Sequence, residues 1–421
     1  MKIPMLFRFS AYGFLKNQQY YEPFLMLVFL EKHLSFTAIG LLYGFRELSV
    51  NVMEVPSGVV ADLCGRRGSM VLSLSAYIGS FLVFGLSGTT WHLFVAMFLF
   101  AVGEAFRTGT HKSMILEWLR VQGREGEKTK TYGYTRSWSK MGSAAAALIG
   151  PGIVLATGRF SHTFLFAIVP YVLGIINFLG YPRELEGHRE AAPSAREMAR
   201  HLFAAFARAF THLRLLRVLL ESMSYEGTYK VVKDYVQPVI RQMALALPVF
   251  AAMAVNRRTA LLVPIVYVPL YVLSSVASRR SSWFADRFGG ESRAARRLWL
   301  VAFMVFVPIA LALWFQVLWL AAVGFVVLAL VENLWRPITV TRVDNETDAK
   351  MGATMLSIES QAKSLGAMVL APLLGLAVDR LGASPEQPAL WVVGLVGVAV
   401  TLVGAILPAM KPAAAELASK A

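Results

Sequence analysis

Ionisable side chains recur inside otherwise apolar segments of this 421-residue chain, and they do so at helical spacing. In the stretch GEAFRTGTHK, Glu104, Arg107 and His111 follow each other at i, i+3 and i+7, so a helix places them on one face. Glu332 and Arg336 repeat the arrangement later in the chain. A carboxylate can take up a proton or hold a cation, and a guanidinium can bind an anionic group. These residues are therefore candidates for ion or solute binding.

Two further apolar segments carry charges of this kind. Glu226, Lys230 and Asp234 lie along one helical stripe, and Glu22 lies in the first apolar segment. Ionisable residues inside a membrane span are costly, so they usually mark ion or solute pathways. The candidate proton or cation carriers are Glu22, Glu104, Glu226, Asp234 and Glu332. The candidate solute or counter-charge residues are Arg107, Lys230 and Arg336.

A purely structural role for some of these charges stays open. The pairs Glu104–Arg107 and Glu332–Arg336 have the spacing to neutralise each other within one helix. The spacing of Glu359 and Lys363 also predicts an i, i+4 ion pair, for which a structural role is favoured.

The segments that position these residues are long and apolar. The composition is 56% hydrophobic and 16% charged, and the mean hydropathy is +0.55. Apolar runs recur that are long enough to cross a hydrocarbon core of roughly 30 Å as helices. The sequence therefore predicts an all-α integral membrane protein with about twelve spans. The predicted spans are 12–31, 36–60, 70–88, 92–117, 134–157, 163–182, 216–240, 255–278, 297–315, 318–340, 353–378 and 389–408.

The positive charge of the chain concentrates in alternate loops. The formal net charge is +15, and Lys and Arg cluster around 66–67, 120–130, 184–214 and 279–297. The positive-inside rule predicts that these segments and both termini are cytoplasmic, in a multi-pass protein of the cell inner (plasma) membrane. A nucleic-acid partner is not expected, because no base-reading or stacking module accompanies the charge.

The sequence carries no sign of an enzyme or a metalloprotein. Cys64 is the single cysteine and the seven histidines are scattered, so neither a disulfide framework nor a metal-ligand spacing appears. A Ser/His/Asp arrangement and a nucleotide-binding loop are missing as well. We expect no metal, no cofactor and no enzymatic activity.

The two halves of the chain resemble each other. The stretches QQYYEP (18–23) and KDYVQP (233–238) match at an offset of 215 residues. Further matches are Asp62 with Asp286, Glu104 with Glu332 and Pro151 with Pro372, at offsets of 224, 228 and 221. Such similar offsets predict two parallel repeats of six spans.

The repeats suggest a division of the chain. We expect six-helix bundles at 1–183 and 215–410, followed by a cytoplasmic tail at 411–421. The segment 184–214 is polar and Arg-rich but keeps apolar residues at near-helical spacing. It therefore predicts a cytoplasmic linker that contains an amphipathic helix at the lipid surface.

The stretch GVVADLCGRRGS (58–69) interrupts the apolar pattern between the second and third predicted spans. A phosphate-binding loop would need a strand–loop–helix context and a Lys-Ser/Thr ending, which are missing. Its spaced residues are Gly58, Asp62, Gly65, Arg66 and Arg67. This spacing resembles the loop signature of the major facilitator superfamily, G-x-x-x-D-[RK]-x-G-[RK]-[RK], with Leu63 in place of one basic residue.

Two partial copies of the signature follow later in the chain. Asp286 and Arg287 occupy matching positions after the eighth predicted span. Asp379 lies in a further echo, GLAVDRLG (375–382), after the eleventh. The resemblance implies that this loop is a gating turn, so the five spaced residues of the first loop, with Asp286 and Arg287, are candidate gating residues.

The resemblance also implies a fold and a mechanism. It implies two pseudo-symmetric six-helix bundles, with spans 1, 4, 7 and 10 lining a central cavity. It further implies a monomeric secondary transporter in the lipid bilayer that moves a small-molecule solute by alternating access. The several carboxylates favour coupling to H+.

The direction of transport follows from a weaker motif. Gly142 and Gly150-Pro151 resemble the pattern of antiporters in the family, which favours export. A gradient-independent facilitator and a non-transporting membrane sensor on the same fold are the alternatives.

Overall fold

Helices make up the regular structure of the protein in the computed structural model. The structure describes residues 4–107, 110–186, 213–248, 251–346, 352–384 and 387–406. Within these ranges no β-sheet forms, and an isolated bridge joins Ser384 and Gln387. The helices are α1 (Met5–Lys16), α2 (Leu25–Glu31), α3 (Phe36–Leu86), α4 (Thr90–Arg107), α5 (Thr110–Val121), α6 (Lys128–Thr157), α7 (His162–Leu179), α8 (Leu213–Val232), α9 (Val236–Ala246), α10 (Val255–Arg279), α11 (Ser281–Arg287), α12 (Glu291–Trp314), α13 (Leu318–Asn345), α14 (Gly352–Leu381) and α15 (Trp391–Ile406).

Eight helical segments in the described ranges are long and apolar enough to cross a membrane. A shorter apolar helix covers Trp391–Gly404. The expected all-α membrane fold is confirmed, and the count of about twelve crossings stays a prediction. The eight segments are Gly65–Leu86, Thr90–Val121, Glu125–Thr157, His162–Leu179, Val255–Arg279, Glu291–Trp314, Leu318–Asn345 and Met355–Leu381.

Short 3-10 turns divide two of the predicted spans, the first and the seventh. Glu22–Phe24 separates α1 from α2, and Lys233–Tyr235 separates α8 from α9. A proline lies in or just after each turn, at Pro23 and Pro238, and proline removes a backbone donor and crowds the preceding turn. The matched stretches QQYYEP and KDYVQP therefore mark equivalent breaks, and each break places a carboxylate at an interrupted helix.

A sharp backbone break lies at Gly65 within α3. Its φ is 75° and its ψ is 157°, inside an otherwise helical segment. This conformation is essentially restricted to glycine, because a Cβ would clash with the backbone. The break falls inside the turn predicted between the second and third spans.

The chain divides into two compact units, which are not simply its first and second halves. The first unit consists of Met1–Leu34, Leu41–Arg200 and Leu247–Pro264. The second unit consists of Ser35–Gly40, His201–Ala246 and Ile265–Ala421. Each unit thus includes a segment from the other half of the sequence. The predicted bundle boundaries stay a prediction, and the predicted linker helix falls mainly on 187–212, outside the described residues.

Each unit has its own core of large aromatic side chains. In the first unit, the rings of Tyr21 and Phe164 stack with their centroids 4.6 Å apart. In the second unit, Trp335 is fully buried, and its ring lies 4.4 Å from that of Tyr225 and 5.5 Å from that of Trp299. Burial of such large rings supplies much of the packing around the charged residues described next.

Candidate functional site

Four charged side chains meet in the second unit, and we call them the Arg336 cluster: Glu226, Arg336, Glu359 and Lys363. Nη1 of Arg336, on α13, donates to both carboxylate oxygens of Glu226, on α8, at 3.0 and 3.2 Å. The same nitrogen donates to Oε1 of Glu359, on α14, at 2.6 Å. Nζ of Lys363 lies 3.5 Å from Oε2 of Glu226. Three helices are therefore joined through one guanidinium.

The carboxylates of this cluster are shielded from solvent. The side chain of Glu359 is 0% exposed and that of Glu226 is 4% exposed, whereas that of Arg336 is 34% exposed. Ser222 on α8 donates a further hydrogen bond to Glu359. Buried charges are costly unless they are paired and hydrogen-bonded. Oε1 of Glu359 is paired in this way, whereas its Oε2 has no hydrogen-bond partner among the described residues.

A third carboxylate, Glu332, lies beside the Arg336 cluster. It interacts electrostatically with Glu226 and Arg336, and its Oε2 is buried without a hydrogen-bond partner among the described residues. Three carboxylates thus face two cations, Arg336 and Lys363. An excess of buried negative charge favours proton uptake as a means of neutralisation.

The structure pairs these charges differently from the expected pairs along one helix. Arg336 is paired with Glu226 and Glu359 on other helices, and Glu359 and Lys363 contact residues of other helices instead of each other. The sequence interpretation assigned no functional role to Glu359 or Lys363. No local signal could have placed them in the cluster, because its members are far apart in the sequence. Glu226 precedes Arg336 by 110 positions, and Arg336 precedes Glu359 by 23.

Lys230 and Asp234 lie outside the Arg336 cluster. Nζ of Lys230 is 3.4 Å from Oγ of Ser364. Asp234 is buried in the 3-10 turn, and its Oδ1 lies 3.9 Å from Nζ of Lys233. The stripe expected from helical spacing is therefore broken where the helix is interrupted.

The first unit contains a cavity of about 470 Å³ between side chains of α1, α4, α5 and α6. Its walls combine aromatic or aliphatic side chains with hydroxyl and basic groups. The lining residues are Phe9, Tyr12, Gly13, Lys16, Asn17, Arg107, His111, Lys112, Ile115, Tyr132, Thr135, Arg136, Ser139, Lys140 and Ser143. A cavity of this size and mixed character is typical of a small-molecule site.

One predicted binding residue lines this cavity, and two others interact electrostatically with residues of its lining. Arg107 lines it and interacts electrostatically with Glu104. Glu104 also interacts with Arg46, so two guanidinium groups share its charge. Glu22 interacts with Lys140, another lining residue. Lys16 also lines the cavity but was not predicted as a site residue, because a lone lysine at the end of a helix has no distinctive spacing.

The first predicted gating loop is only partly described. Nη1 of Arg66 lies 3.9 Å from Oε2 of Glu117, and Nη1 of Arg67 donates to the carbonyl oxygen of Tyr181 at 3.3 Å. The side chain of Asp62 and the environment of Gly58 lie outside the described part of the chain. The two arginines thus tie the break at Gly65 to neighbouring segments of the first unit.

The second predicted gating pair ends a short helix. Asp286 and Arg287 are the last residues of α11, and Gly289 and Gly290 follow with φ of 78° and 111°. These positive φ values favour glycine, so the FGG sequence ends the helix and turns the chain into α12.

Two carboxylates at helix ends accept backbone hydrogen bonds. Asp379, near the end of α14, accepts the N–H groups of Phe36 and Thr37 at the start of α3. Glu31, the last residue of α2, accepts the N–H groups of Phe160 and Ser161. A carboxylate at a helix N-terminus satisfies unpaired N–H groups and interacts favourably with the helix dipole.

The described residues contain no group of three or more His, Cys, Asp or Glu side chains that could hold a metal ion. The charged side chains described above can form ion pairs, transfer protons between carboxylates and bind charged groups.

Several solved structures with a similar fold are those of transporters. The crystal structure of the nucleoside transporter NupG matches with a TM-score of 0.77 at 13% identity, covering 96% of this chain and 98% of that one. A POT family transporter in complex with 5-aminolevulinic acid gives 0.67 at 15% identity, over 94% of each chain. A D-xylose–proton symporter gives 0.62 at 14% identity, over 96% and 97%. At these identities the likeness shows the fold alone.

Sequence comparisons assign the family. No curated protein sequence matches the chain significantly. The family model of the Major Facilitator Superfamily matches residues 17–359, which is most of the chain and includes the Arg336 cluster up to Glu359. The chain therefore belongs to the Major Facilitator Superfamily.

Proposed function

We propose that the protein is a secondary active transporter that moves a small solute by alternating access and couples this movement to protons. The observation that carries the proposal is the Arg336 cluster, in which Glu226 and Glu359 are buried around one guanidinium with Glu332 beside them. Several carboxylates near one another in a membrane-spanning unit are suited to proton uptake and release.

The geometry supports a coupling step. Nη1 of Arg336 carries two N–H groups but faces three oxygens of Glu226 and Glu359, so the two carboxylates compete for it. When one carboxylate takes a proton, it loses most of its attraction for Arg336, and the other carboxylate retains the guanidinium. Because the two carboxylates lie on α8 and α14, the protonation state changes which helix the arginine on α13 holds.

The direction and setting of transport are further parts of the proposal. The solute leaves the cell in exchange for protons, as the resemblance of Gly142 and Gly150-Pro151 to antiporters suggests. The protein acts as a monomer in the inner (plasma) membrane with cytoplasmic termini, as the distribution of Lys and Arg favours. The shared fold with a D-xylose–proton symporter is compatible with proton coupling.

Proteoliposomes with a trapped pH-sensitive dye test the proposal. The full-length protein is reconstituted, a panel of small solutes is offered, and solute flux and internal pH are followed with and without an imposed pH gradient. We expect solute accumulation to follow the gradient and internal pH to change with it. The Glu226→Gln and Glu359→Gln variants are expected to lose gradient-driven accumulation but to keep solute exchange at equal pH.

The matched control is Glu125→Gln, because Glu125 is a half-exposed carboxylate paired with Lys128. It is expected to behave like the wild-type protein. Solute flux that does not depend on the pH gradient would identify a facilitator. Absence of flux for every tested solute would identify a non-transporting protein. Unchanged coupling in both glutamate variants would move the proton site away from the Arg336 cluster.

A further inference from the structure

We propose that the cavity of the first unit binds a soluble organic anion through carboxylate or phosphate oxygens. The inference rests on the proposed transport function and names the chemical class of its solute. It is carried by the charge of the cavity walls, by a buried imidazole nitrogen without a hydrogen-bond partner and by the apolar surface between the charges.

The cavity walls are positively charged. Five basic side chains line the cavity, and no Asp or Glu side chain belongs to its lining among the described residues. The basic residues come from four helices and are Lys16, Arg107, Lys112, Arg136 and Lys140. Such convergence of like charges raises the local concentration of anions and favours an anionic ligand over a neutral one.

The basic groups of the cavity repel one another. The charge of Lys16 is opposed by Arg107, and that of Lys140 by Arg136. Clustered cations in a partly desolvated cavity destabilise one another, and a bound anion relieves this repulsion. An anionic ligand therefore lowers the energy of this arrangement of basic groups.

Nearby carboxylates neutralise only part of this charge. Glu104 interacts with Arg107, and Glu22 interacts with Lys140. Ion pairs with Lys16, Lys112 or Arg136 are absent among the described residues. Instead, Nζ of Lys16 lies 5.9 Å from the centre of the Tyr12 ring, and Nζ of Lys112 lies 5.6 Å from that of Tyr132. A ring face stabilises a cation weakly compared with an oxyanion.

A buried imidazole nitrogen also points to a ligand. Nε2 of His111, which lines the cavity, is buried and has no hydrogen-bond partner among the described residues. A buried polar atom without a partner is costly, and in the tautomer that carries its proton on Nε2 a ligand oxygen satisfies it. The planar guanidinium of Arg107 on the same wall can bind a carboxylate or phosphate with two parallel hydrogen bonds.

The size and the apolar walls of the cavity favour an organic anion. Its volume of about 470 Å³ exceeds what a single inorganic ion needs and lies in the range of small-molecule sites. Phe9, Tyr12 and Ile115 supply apolar surface between the basic groups. A carbon skeleton can therefore pack against the walls while its oxyanion meets the cations.

Thermal unfolding of the full-length protein in a mild neutral detergent tests the inference. The anionic probes are succinate and glycerol 3-phosphate, and the neutral controls of similar shape are succinamide and glycerol, all at constant ionic strength. We expect at least one anionic probe at millimolar concentration to raise the unfolding midpoint by about 2 °C or more, since a ligand stabilises the state that it binds. The neutral compounds are expected to leave the midpoint unchanged.

Variants locate the effect in the cavity. In Lys16→Gln and in Lys140→Gln, we expect the same shift to require an at least tenfold higher probe concentration. Lys16→Arg is expected to respond like the wild-type protein. The matched control is Lys128→Gln, because Lys128 is half-exposed, paired with Glu125 and outside the cavity lining. Equal shifts in all variants would overturn the inference, as would equal shifts with anionic and neutral probes. Only variants that elute as monodisperse protein are compared.

Mixed micelles of the detergent and phosphatidylglycerol form a separate arm, because a lipid headgroup carries the same phosphate chemistry. Stabilisation by phosphatidylglycerol but by neither soluble anion would make the cavity a lipid site and overturn the inference. The detergent assay needs no gradient, so it separates this inference from the proposed function. Anion binding without any transport contradicts only the transporter, whereas proton-coupled transport of a neutral solute without anion binding contradicts only the anion site.

Discussion

Asp379 accepts both the backbone N–H and the hydroxyl hydrogen of Thr37, at 2.7 and 2.6 Å, although 342 positions separate the two residues. Its other carboxylate oxygen accepts the N–H of Phe36 at 3.0 Å. The carboxylate thus satisfies the first N–H groups of α3, which have no partner within their own helix. The partial copy of the loop signature around Asp379 therefore contains a residue that caps a helix.

Loss of the Asp379 carboxylate is expected to expose these amides. In Asp379→Asn, we expect the amide hydrogens of Phe36 and Thr37 to exchange roughly fivefold faster, because loss of such a cap costs about 1 kcal/mol. Thr37→Val, which removes only the hydroxyl donor, is expected to have a smaller effect. Hydrogen–deuterium exchange with mass spectrometry measures both. Asp286→Asn serves as the matched control, and a similar acceleration in it would contradict the cap.

The hydrogen bond between Glu31 and Asn256 is expected to couple the two residues energetically. Nδ2 of Asn256 donates to Oε1 of Glu31 at 2.9 Å and to the carbonyl oxygen of Gly158 at 3.0 Å. In a double-mutant cycle of Glu31→Ala and Asn256→Ala, we expect a coupling energy of about 1–2 kcal/mol in the free energy of unfolding. The same cycle with Asn17→Ala is the control, since Asn17 bonds to Gly13 instead. A coupling no larger than in this control would disprove the prediction.

Removal of Arg336 is expected to leave uncompensated buried charge. The Arg336→Leu variant should lose about 3–5 kcal/mol of unfolding free energy, because Glu359 and Glu226 are left without their guanidinium. The double variant Arg336→Leu/Glu359→Leu is expected to recover part of this loss. Titration with a denaturing detergent measures the difference.

The control for that comparison is Arg120→Leu. Arg120 is 65% exposed and lies 4.0 Å from Glu117, so its loss is expected to cost no more than about 1 kcal/mol. If Arg336→Leu were no more destabilising than Arg120→Leu, the Arg336 cluster would not stabilise the second unit.

Substitution of Gly65 is expected to strain the backbone. Gly65→Ala should destabilise the protein by about 1–3 kcal/mol, because φ of 75° with ψ of 157° is available to glycine alone. Gly152→Ala in α6 is the matched control, since a Cβ there meets nothing within 4 Å. That control is expected to be neutral or slightly stabilising. Thermal unfolding midpoints of the two variants test the contrast, and equal midpoints would refute it.

The membrane class and the turn at Gly65 could be predicted because both depend on local sequence. Length and hydropathy of a segment determine whether it can cross a bilayer, and glycines beside the basic pair Arg66-Arg67, between two apolar runs, mark a turn. The 3-10 breaks at Glu22 and Asp234 were not predicted as breaks, although each has a proline nearby. Membrane helices can contain proline without ending, so the presence of a proline does not specify where a helix ends.

The candidate site was predicted in some of its members, but Glu359, Lys363 and the contacts between helices were not predicted. Helical spacing identified Glu226, Glu332 and Arg336 as buried charges, yet it suggested pairs along one helix. The actual pairs, such as Arg336 with Glu359, depend on which helices pack together and how they are rotated. Long-range packing of this kind leaves no trace in the spacing of one segment. The basic cavity escaped prediction for the same reason, because its cations come from four helices.

Each compact unit contains a short segment from the other half of the sequence, and these two segments correspond to each other under the predicted internal repeat. The offset of 221 residues between Pro151 and Pro372 carries residues 35–40 onto 256–261, which lie inside Leu247–Pro264. Under the predicted repeat, these two short segments occupy equivalent positions in the two halves of the sequence. A cut between the halves would therefore separate each segment from the unit to which it belongs.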